Sequence, residues 1–280
     1  MYEAHFGLQE APFALTPNTR YFLRARSHSD ALELLLVALR EREGFIKITG
    51  EVGTGKTLLC RLLLNALEEG ATTTAYIPNP GLTPETLYEA VADELGVTLG
   101  KNDNTHRVLK ALTGRLIELA SDGQQVVLVI DEAQAMPEET IEALRLLTNL
   151  ETENARLLQV VLFGQPELDV LLNKSSLRQL KQRITFQYRL SPLDRGAVAQ
   201  YLRHRLARAG YNGGDLFAPG ALRLIARASG GIPRLLNILA HKALLAAWGR
   251  GDRQIARWHV LQAIRDTDSC HRPGFLGRWL

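Results

Sequence analysis

The spacing of apolar residues changes twice along the 280 residues of the chain. Up to Arg26, turn-forming and aromatic residues predominate, which predicts irregular structure lying against a folded domain. From Phe45 to Leu190, short apolar and β-branched runs alternate with stretches of helical period, the pattern of βαβ units and a parallel sheet. After the turn sequence SPLD at 191–194, only helical periods remain.

Strands are predicted from the apolar runs at 45–49, 72–77, 126–130, 157–163 and 184–190. Amphipathic helices are predicted between them at 56–68, 84–95, 105–120 and 138–150, and after them at 194–209, 219–229, 232–249 and 255–266. An earlier helix is predicted to take Ser27 as its N-cap and to end near Gly44. Because the strands are almost continuously apolar, we expect helices on both faces of the sheet.

These elements predict an α/β fold with a five-stranded parallel sheet, followed by a small all-α domain. The predicted divisions are an N-terminal irregular arm at 1–26, an α/β domain at 27–191, a basic helical domain at 192–268 and a C-terminal tail at 269–280. The tail carries apolar residues that are expected either to pack back onto the domain or to reach a partner or membrane, namely Phe275, Leu276, Trp279 and Leu280.

Charge changes sign at the same boundary. Residues 1–194 carry 19 basic and 26 acidic residues, a net charge of −7, whereas residues 195–280 carry 14 basic and 4 acidic residues, a net charge of +10. Solvated arginine-rich helix faces are one interpretation, and an acidic partner is the other: nucleic acid, anionic lipid or the acidic part of a second copy. No stretch approaches the ~20 apolar residues of a membrane-spanning helix, and the N-terminus lacks the pattern of a secretory signal, so a cytoplasmic location is expected.

The sequence GEVGTGKT at 50–57 follows a predicted strand and leads into a helix that begins at Lys56. In this G-x-x-x-x-G-K-T pattern, glycines at 50, 53 and 55 let backbone N–H groups surround phosphate oxygens, and the helix N-terminus adds partial positive charge. Lys56 can reach the β and γ phosphates of a nucleotide, and the Thr57 hydroxyl can bind Mg²⁺. A flexible glycine-rich turn is the alternative, but the flanking strand and helix favour a P-loop.

A pair of acids ends the third predicted strand, in VVLVIDE. Ligands of open α/β sheets collect at the carboxyl ends of the strands, so Asp131 and Glu132 are expected to face such a site. Asp131 is predicted to hold the Mg²⁺ shell through water, and Glu132 to polarise the attacking water of a hydrolysis. A solvated strand end is the alternative.

The P-loop, the DE pair, a polar residue after the fourth strand and the helical segment with GGIPR resemble the AAA+ ATPases over roughly residues 25–266. More narrowly, the chain resembles the ExeA-type ATPases of general secretion pathways in YEAHFGLQEAPFALTPN, GEVGTGKT, IDEAQ, LRLLTNLETE, LFGQPEL and LKQRI. Because the sequence stops soon after the helical region, it is most similar to pilus-biogenesis members of the MshM type. ExeA itself continues into a membrane span and a peptidoglycan-binding domain, and neither continuation is expected here.

The resemblance implies a P-loop AAA+ fold with ATP and Mg²⁺ held between the α/β domain and a helical lid. The implied nucleotide-binding residues are Gly50, Glu51, Val52, Gly53, Thr54, Gly55, Lys56, Thr57, Leu58 and Arg234, and the implied metal ligands are Thr57 and Asp131. The implied catalytic residues are Glu132, Lys56, Arg183 and Gln165.

Three of these roles leave an alternative open. Gln165 takes the place of the first sensor, where many AAA+ proteins use Asn or Thr, and could instead be a polar turn residue. Arg234 matches the second sensor, with an exposed lid arginine as the alternative. Arg183 takes the place of the arginine finger that reaches a neighbouring subunit, with Arg178 as the second candidate. 

The expected function is therefore that of an ATP-hydrolysing AAA+ motor or switch that assists a type IV pilus or type II secretion machinery. The expected partners are further copies of the chain, in a nucleotide-dependent oligomer that could be a hexamer, and inner-membrane assembly proteins, with a peripheral location at that membrane. The alternative is a nucleic-acid-binding AAA+ ATPase resembling transposition-targeting regulators, supported by the basic helical segment.

Overall fold

Five strands pair into one parallel sheet in the computed structural model, which describes residues 1–68, 70–100, 103–149, 151–152 and 155–270. The strands are β1 (Phe45–Gly50), β2 (Thr72–Ile77), β3 (Gln125–Ile130), β4 (Glu151–Thr152), β5 (Ala155–Arg156), β6 (Gln159–Gly164) and β7 (Ile184–Leu190). The sheet has the order β2-β3-β6-β1-β7 with every neighbouring pair parallel, while β4 and β5 form a separate antiparallel pair.

The helices within the described residues are α1 (Glu3–Phe6), α2 (Arg26–Arg40), α3 (Lys56–Glu68), α4 (Pro84–Glu94), α5 (Thr105–Ser121), α6 (Glu138–Leu147), α7 (Pro166–Leu172), α8 (Arg178–Arg183), α9 (Arg195–Arg208), α10 (Pro219–Ser229), α11 (Pro233–Arg250) and α12 (Arg257–Arg265). Most predicted elements match these closely. The sequence did not predict α1, α7 or α8, because each is too short to establish a helical period.

The prediction for α2 was wrong at both ends. Ser27 is not its N-cap, since the helix already begins at Arg26, and the Ser27 hydroxyl accepts a hydrogen bond from the backbone of Ser191 instead. The helix ends at Arg40 rather than near Gly44, because Arg42 adopts a left-handed conformation with φ of 56°.

Contacts between residues divide the chain into two compact units. Unit 1 comprises Met1–Ser27, Gly53–Gly55 and the described residues from Ser191 onward, and unit 2 comprises the described residues of His28–Val52 and Lys56–Leu190. The predicted tail residues Phe275, Leu276, Trp279 and Leu280 lie outside the described residues.

The central strands β1, β3 and β6 of the sheet in unit 2 are buried on both faces. Successive residues of β3 point to opposite sides, so that Val127 and Val129 join one apolar core while Leu128 and Ile130 join the other. Helices α2 and α3 supply residues to the first core, and helices α4 to α7 supply residues to the second. Burial on both faces explains why these central strands are almost continuously apolar, whereas the edge strand β7 alternates half-buried and exposed residues.

The strand order of unit 2 also places the carboxyl ends of β3, β6 and β1 side by side. Because the strands are parallel, the loops that follow them leave the same edge of the sheet. The P-loop follows β1, the Asp131–Glu132 pair follows β3, and Gln165 follows β6. The sheet therefore collects these segments at one edge.

The core of unit 1 is built from α9 to α12 together with aromatic residues of the N-terminal arm. Phe6, Phe13 and Tyr21 are buried in this core. The arm contains the short helix α1 and a 3-10 turn at Thr19–Tyr21, so it is more ordered than the sequence predicted. Arg205 ties the arm to α9, since its guanidinium donates to the carbonyls of Pro12 and Ala14.

Gly231 joins α10 to α11 and shows why glycine is required there. Its φ is 78°, and a Cβ at this position would lie 2.0 Å from the carbonyl oxygen of Leu193. The Leu193 N–H donates to the Gly231 carbonyl, so the two segments touch through their backbones. Among the described residues, no helix is long and apolar enough to cross a membrane.

Candidate functional site

The loop between β1 and α3 folds around the amino group of Lys56. Lys56 Nζ donates hydrogen bonds to the carbonyl oxygens of Gly50, at 2.8 Å, and Glu51, at 3.2 Å. Gly53 and Gly55 adopt positive φ values of 81° and 103°, which L side chains rarely tolerate. The glycines thus allow a backbone that curls around the lysine at the helix N-terminus.

Lys56 is only 5% exposed, and this burial lowers its pKa, against the opposing effect of nearby carboxylates led by Glu132 and Asp131. Its hydrogen-bond acceptors are neutral carbonyls. A buried ammonium without a bonded anion carries a desolvation cost that a phosphate would offset. The surroundings of Lys56 therefore favour the binding of an anionic ligand at its amino group.

Asp131 lies at the end of β3 and is 3% exposed. Burial raises its pKa, whereas a hydrogen bond from Thr57 and one from the Glu132 backbone N–H, at 2.9 Å from Asp131 Oδ1, act in the opposite direction. The Thr57 hydroxyl, in the first turn of α3, and the Asp131 carboxylate, at the end of β3, are thus in direct contact. Both predicted metal ligands face the same site.

Glu132 has a backbone conformation that glutamate seldom adopts, with φ of 51° and ψ of 37°. Such left-handed residues carry strain of about 1–2 kcal/mol and cluster at functional sites. The turn separates the Glu132 side chain from that of Asp131, so adjacent acids acquire different surroundings.

Two amides hold the Glu132 carboxylate. Gln134 Nε2 donates to Glu132 Oε2 at 2.6 Å, and Gln165 Nε2 donates to the same oxygen at 3.0 Å. Burial alone would raise the pKa of Glu132, but these two hydrogen bonds and the charge of Lys56 hold it below its usual range. Glu132 is therefore kept ionised as a potential base.

Gln134 was not predicted as a site residue. Its Oε1 accepts the backbone N–H of Gln165 at 2.9 Å, so this side chain bridges the segment after β6 to Glu132. The available signal was a lone amide two residues after the acid in IDEAQ, within a 3-10 turn at Ala133–Ala135. The Gln165 amide donates to Glu132, and the role of Gln165 as the first sensor stays a prediction.

Arg234 lies in the first turn of α11, in unit 1, which also contains Gly53–Gly55. Its backbone N–H donates to the Gly53 carbonyl at 3.2 Å. A Cβ on Gly53 would lie 2.7 Å from Cβ of Arg234, so the close approach requires glycine there. The start of α11 thus contacts the centre of the loop within unit 1.

Arg178 and Arg183 occupy opposite ends of α8 and are both exposed. Their position does not select between them as an arginine finger. The other predicted loop residues differ in surroundings: Thr54 is fully buried, Val52 is 53% exposed, Leu58 is partly buried, and Glu51 pairs with Arg189 at 3.2 Å.

The donor set fits a magnesium nucleotide. Mg²⁺ prefers one or two carboxylates or hydroxyls, supplemented by water and phosphate oxygens, and Thr57 with Asp131 supplies that partial shell. Among the described residues, no group of three or more His, Cys, Asp and Glu side chains forms a cage for a metal. The bound phosphates would complete the coordination.

Three comparisons place these features among known proteins. Residues 39–172 match the model of the AAA domain family. The chain is 42% identical over 274 residues to General secretion pathway protein A of Aeromonas hydrophila, an alignment that covers 98% of this chain and 50% of that protein. The chain thus spans about half the length of this curated relative.

Solved structures share the fold at low sequence identity. Cdc6p from Pyrobaculum aerophilum is 19% identical with a TM-score of 0.68, and the alignment covers 94% of this chain and 70% of that one. The ORC1 protein of Aeropyrum pernix, solved in complex with DNA, is 24% identical with a TM-score of 0.66, and the alignment covers 92% and 69% of the two chains. The predicted fold class, a five-stranded parallel sheet with a P-loop and a helical C-terminal region, is confirmed.

Proposed function

We propose that the chain is a Mg²⁺-dependent AAA+ ATPase that hydrolyses the β–γ phosphoanhydride of ATP. The observation that carries this proposal is the meeting of a buried lysine, a Thr57–Asp131 pair and a clamped Glu132 at one edge of the sheet. A nucleotide-binding scaffold alone would not need the ionised Glu132.

Each site residue has a proposed role in nucleotide binding or hydrolysis. Loop N–H groups and Lys56 bind the phosphates. Thr57 and Asp131 would hold Mg²⁺, which when bound would supply charge neutralisation on the phosphate oxygens. Glu132 accepts a hydrogen bond from the attacking water and draws off its proton. Gln165 orients that water together with Glu132, and Arg234 contacts the nucleotide from the start of α11.

The cellular role is proposed from likeness to a relative whose name links it to general secretion. We infer that hydrolysis remodels a type II secretion assembly or, by the narrower MshM-type resemblance, a type IV pilus assembly. The partners would be inner-membrane assembly proteins, with the chain in the cytoplasm or peripheral at that membrane.

Calorimetric titration with Mg²⁺ and a non-hydrolysable ATP analogue tests the binding step. Wild type should bind, and Lys56→Ala should lose most of the affinity because the buried ammonium no longer meets the phosphates. Lys47→Ala is a matched control, since Lys47 is also buried but pairs with Asp169. Equal binding by wild type and Lys56→Ala, or equal loss in both variants, contradicts the proposal.

Arg183 is proposed to complete the active site of a neighbouring copy, as an arginine supplied in trans stabilises the transferring phosphate. A mixture of Arg183→Ala and Lys56→Ala chains should then regain hydrolysis, because some mixed sites contain both functional residues. Arg178→Ala replaces Arg183→Ala in the parallel experiment. Mixtures no more active than either variant alone would remove both arginines from this role.

A nucleic-acid-binding ATPase is the second candidate, favoured by one observation. Arg250 lies over the ring of Trp258 at 4.6 Å, and Trp258 is 44% exposed, a combination that can stack on a base. Titration of duplex DNA at two salt concentrations tests this candidate, which requires affinity with a steep salt dependence. Binding that is absent at both concentrations excludes it.

A further inference from the structure

A cavity of about 440 Å³ lies in unit 2, between the edge of the sheet and two short helices. Residues of β1 and β7 line it on one side, and residues of α7, α8 and the turn after α7 line it on the other. Its polar lining consists of Lys47, Asp169, Asn173, Lys181, Thr185 and Gln187. None of these six residues is among those assigned to the nucleotide site, so the cavity is a separate feature of the unit.

Lys47 is the unusual residue of this lining. It lies in the middle of β1, a strand that is buried along its whole length, and is flanked by Ile46 and Ile48. The two isoleucines join the apolar core to which α3 contributes, so Lys47, one residue out of phase, faces the opposite side of the sheet. An apolar residue at this position would avoid the cost of desolvating an ammonium group. The core of unit 2 therefore does not explain the charge at this position.

The hydrogen bonds of Lys47 are incomplete. Its amino group donates to one acceptor among the described residues, the Asp169 carboxylate, although an ammonium group has three N–H donors. The side chain of Lys47 is 11% exposed and that of Asp169 is 38% exposed, so water reaches the carboxylate more readily than the ammonium group. Two N–H groups of a nearly buried cation are thus available to a ligand in the cavity.

The rest of the polar lining also offers mainly donors. Lys181 Nζ donates to Asn173 Oδ1 and has no second acceptor within the part of the chain that the structure describes. The side-chain amide of Gln187 makes no hydrogen bond to any described residue, and the Thr185 hydroxyl donates to Glu43 Oε2 at 2.8 Å. With two lysines and one aspartate, the lining has a formal charge of +1. Its excess of donors and its charge both favour an anion.

We propose that this cavity binds a small oxyanion, that is, a small molecule with a carboxylate or phosphate group. The oxygens of an ionised carboxylate or phosphate accept hydrogen bonds, and their bonds to ammonium groups are stronger than those between neutral groups. Lys47 and Gln187 are side by side in the register of β1 and β7, so one anion can contact both. The volume lies within the range of about 300–1,000 Å³ that is typical of small-molecule sites.

A free anion fits the cavity better than a phosphate that belongs to a nucleic acid or a membrane. Lys47 is 9% exposed, so an anion has to enter the cavity to contact it. A broad polyanionic surface would meet the exposed Lys181 instead and would leave Lys47 without a second acceptor. Carboxylate and phosphate share the chemistry that the lining requires, and separate titrations distinguish them.

Inorganic phosphate and succinate are the two probes, and the NMR signal of the Gln187 side-chain amide, identified by its loss in Gln187→Leu, is the readout. Each probe is titrated into wild type saturated with Mg²⁺ and a non-hydrolysable ATP analogue, and into Lys56→Ala, so that the P-loop is either occupied or disabled. At least one probe should shift the signal in both proteins, with a midpoint near or below about 1 mM. Phosphate alone or succinate alone would identify the preferred group.

The Lys56→Ala titration does not depend on ATP binding, so failure of the proposed ATPase and failure of the anion site are distinguishable. A signal that neither probe shifts at concentrations up to about 10 mM would overturn the proposal. A shift that disappears in Lys56→Ala would assign the anion to the P-loop and would overturn it as well.

Substitutions in the lining locate the bound anion. Lys181→Gln should weaken binding by ~5-fold and Lys47→Met by at least ~10-fold, because each removes a charged donor. Lys181 is exposed, so its variant tests the site even if Lys47→Met does not fold. Lys110→Gln removes the same charge from an exposed position on α5 and should bind like wild type. Unchanged affinity in Lys181→Gln, or an equal loss in Lys110→Gln, would contradict a site in this cavity.

Discussion

Charged side chains are used differently in the two units. At the sheet edge of unit 2, Lys56 and Asp131 are buried and Glu132 is half-buried, and each is fixed by hydrogen bonds to backbone or amide groups. Among the described residues of unit 1, most arginines lie on the exposed faces of helices, and Arg205 is the buried exception. The first group meets the requirements of a small ligand, and the second those of a large partner.

The difference follows from what surrounds each charge. A buried charge has a strong effect on its neighbours and on a bound ligand, because little water screens it. An exposed charge contributes little to stability and acts mainly through long-range attraction or contact with another surface. Substitutions should therefore have large, specific effects at the sheet edge and small effects on the arginine faces.

Glu132→Gln should give the largest effect on activity. The amide keeps the size of the side chain but cannot take a proton from water, so hydrolysis should fall by ~10²–10⁴-fold with nucleotide binding retained. Glu139→Gln, on the exposed first turn of α6, is the control. The measurement is phosphate release alongside binding of the ATP analogue; turnover close to that of wild type would assign the base to another group.

Arg205→Met should give the next largest effect, this time on stability, and would sharpen the contrast within unit 1. Arg205 Nε donates to the Pro12 carbonyl at 2.6 Å, and its guanidinium lies 4.6 Å from the Tyr21 ring. Loss of these contacts leaves the buried carbonyl of Pro12 without its donor, so the free energy of unfolding should fall by about 2–4 kcal/mol.

Arg208→Met is the control for that substitution, since Arg208 is exposed on the same helix. Urea unfolding of both variants gives the comparison. Equal stability of the two would mean that the N-terminal arm does not depend on Arg205.

The sequence predicted the sheet and the principal site residues because local patterns determine them. The apolar runs, the glycines of the loop and the acids after β3 can each be recognised within a few residues of sequence. The parallel strands then place the loop and the acids at the same edge of the sheet. Thr57 and Asp131 could be predicted as partners on that basis.

Gln134 could not be predicted in the same way. Its role depends on the left-handed turn at Glu132 and on the backbone N–H of Gln165, which is 31 residues away in sequence. The same limit applies to Arg205, whose acceptors lie in the arm at Pro12 and Ala14. A single amide or arginine has no local pattern that reveals a partner distant in sequence.

Gln134→Leu should reduce hydrolysis by ~10-fold through a misplaced Glu132. One of the two hydrogen bonds that hold the pKa of Glu132 below its usual range is removed, so that pKa should rise. Glu132 must be ionised to act as a base, so activity is lost as pH falls through its pKa. In the variant this loss of activity should therefore occur at a higher pH than in wild type.

The direct measurement is the carbon chemical shift of the Glu132 carboxyl during a pH titration, with Glu132→Gln used to identify the signal. Gln134→Glu is an informative second variant, since a second acid should raise the pKa of Glu132 further. A pKa unchanged in both variants would show that Gln165 and Lys56 suffice to hold the carboxylate.

Arg227→Ala should give the smallest effect on the isolated chain. Its exposed guanidinium has no ion-pair partner among the described residues, and its removal also relieves repulsion from Arg223. The free energy of unfolding should therefore change by no more than about 0.5 kcal/mol, with ATP-analogue binding unchanged. A loss of stability comparable to that of Arg205→Met would show that Arg227 stabilises the fold of unit 1. The distinction between buried charges that are fixed by hydrogen bonds and exposed charges that contribute little to stability would then not hold for α10.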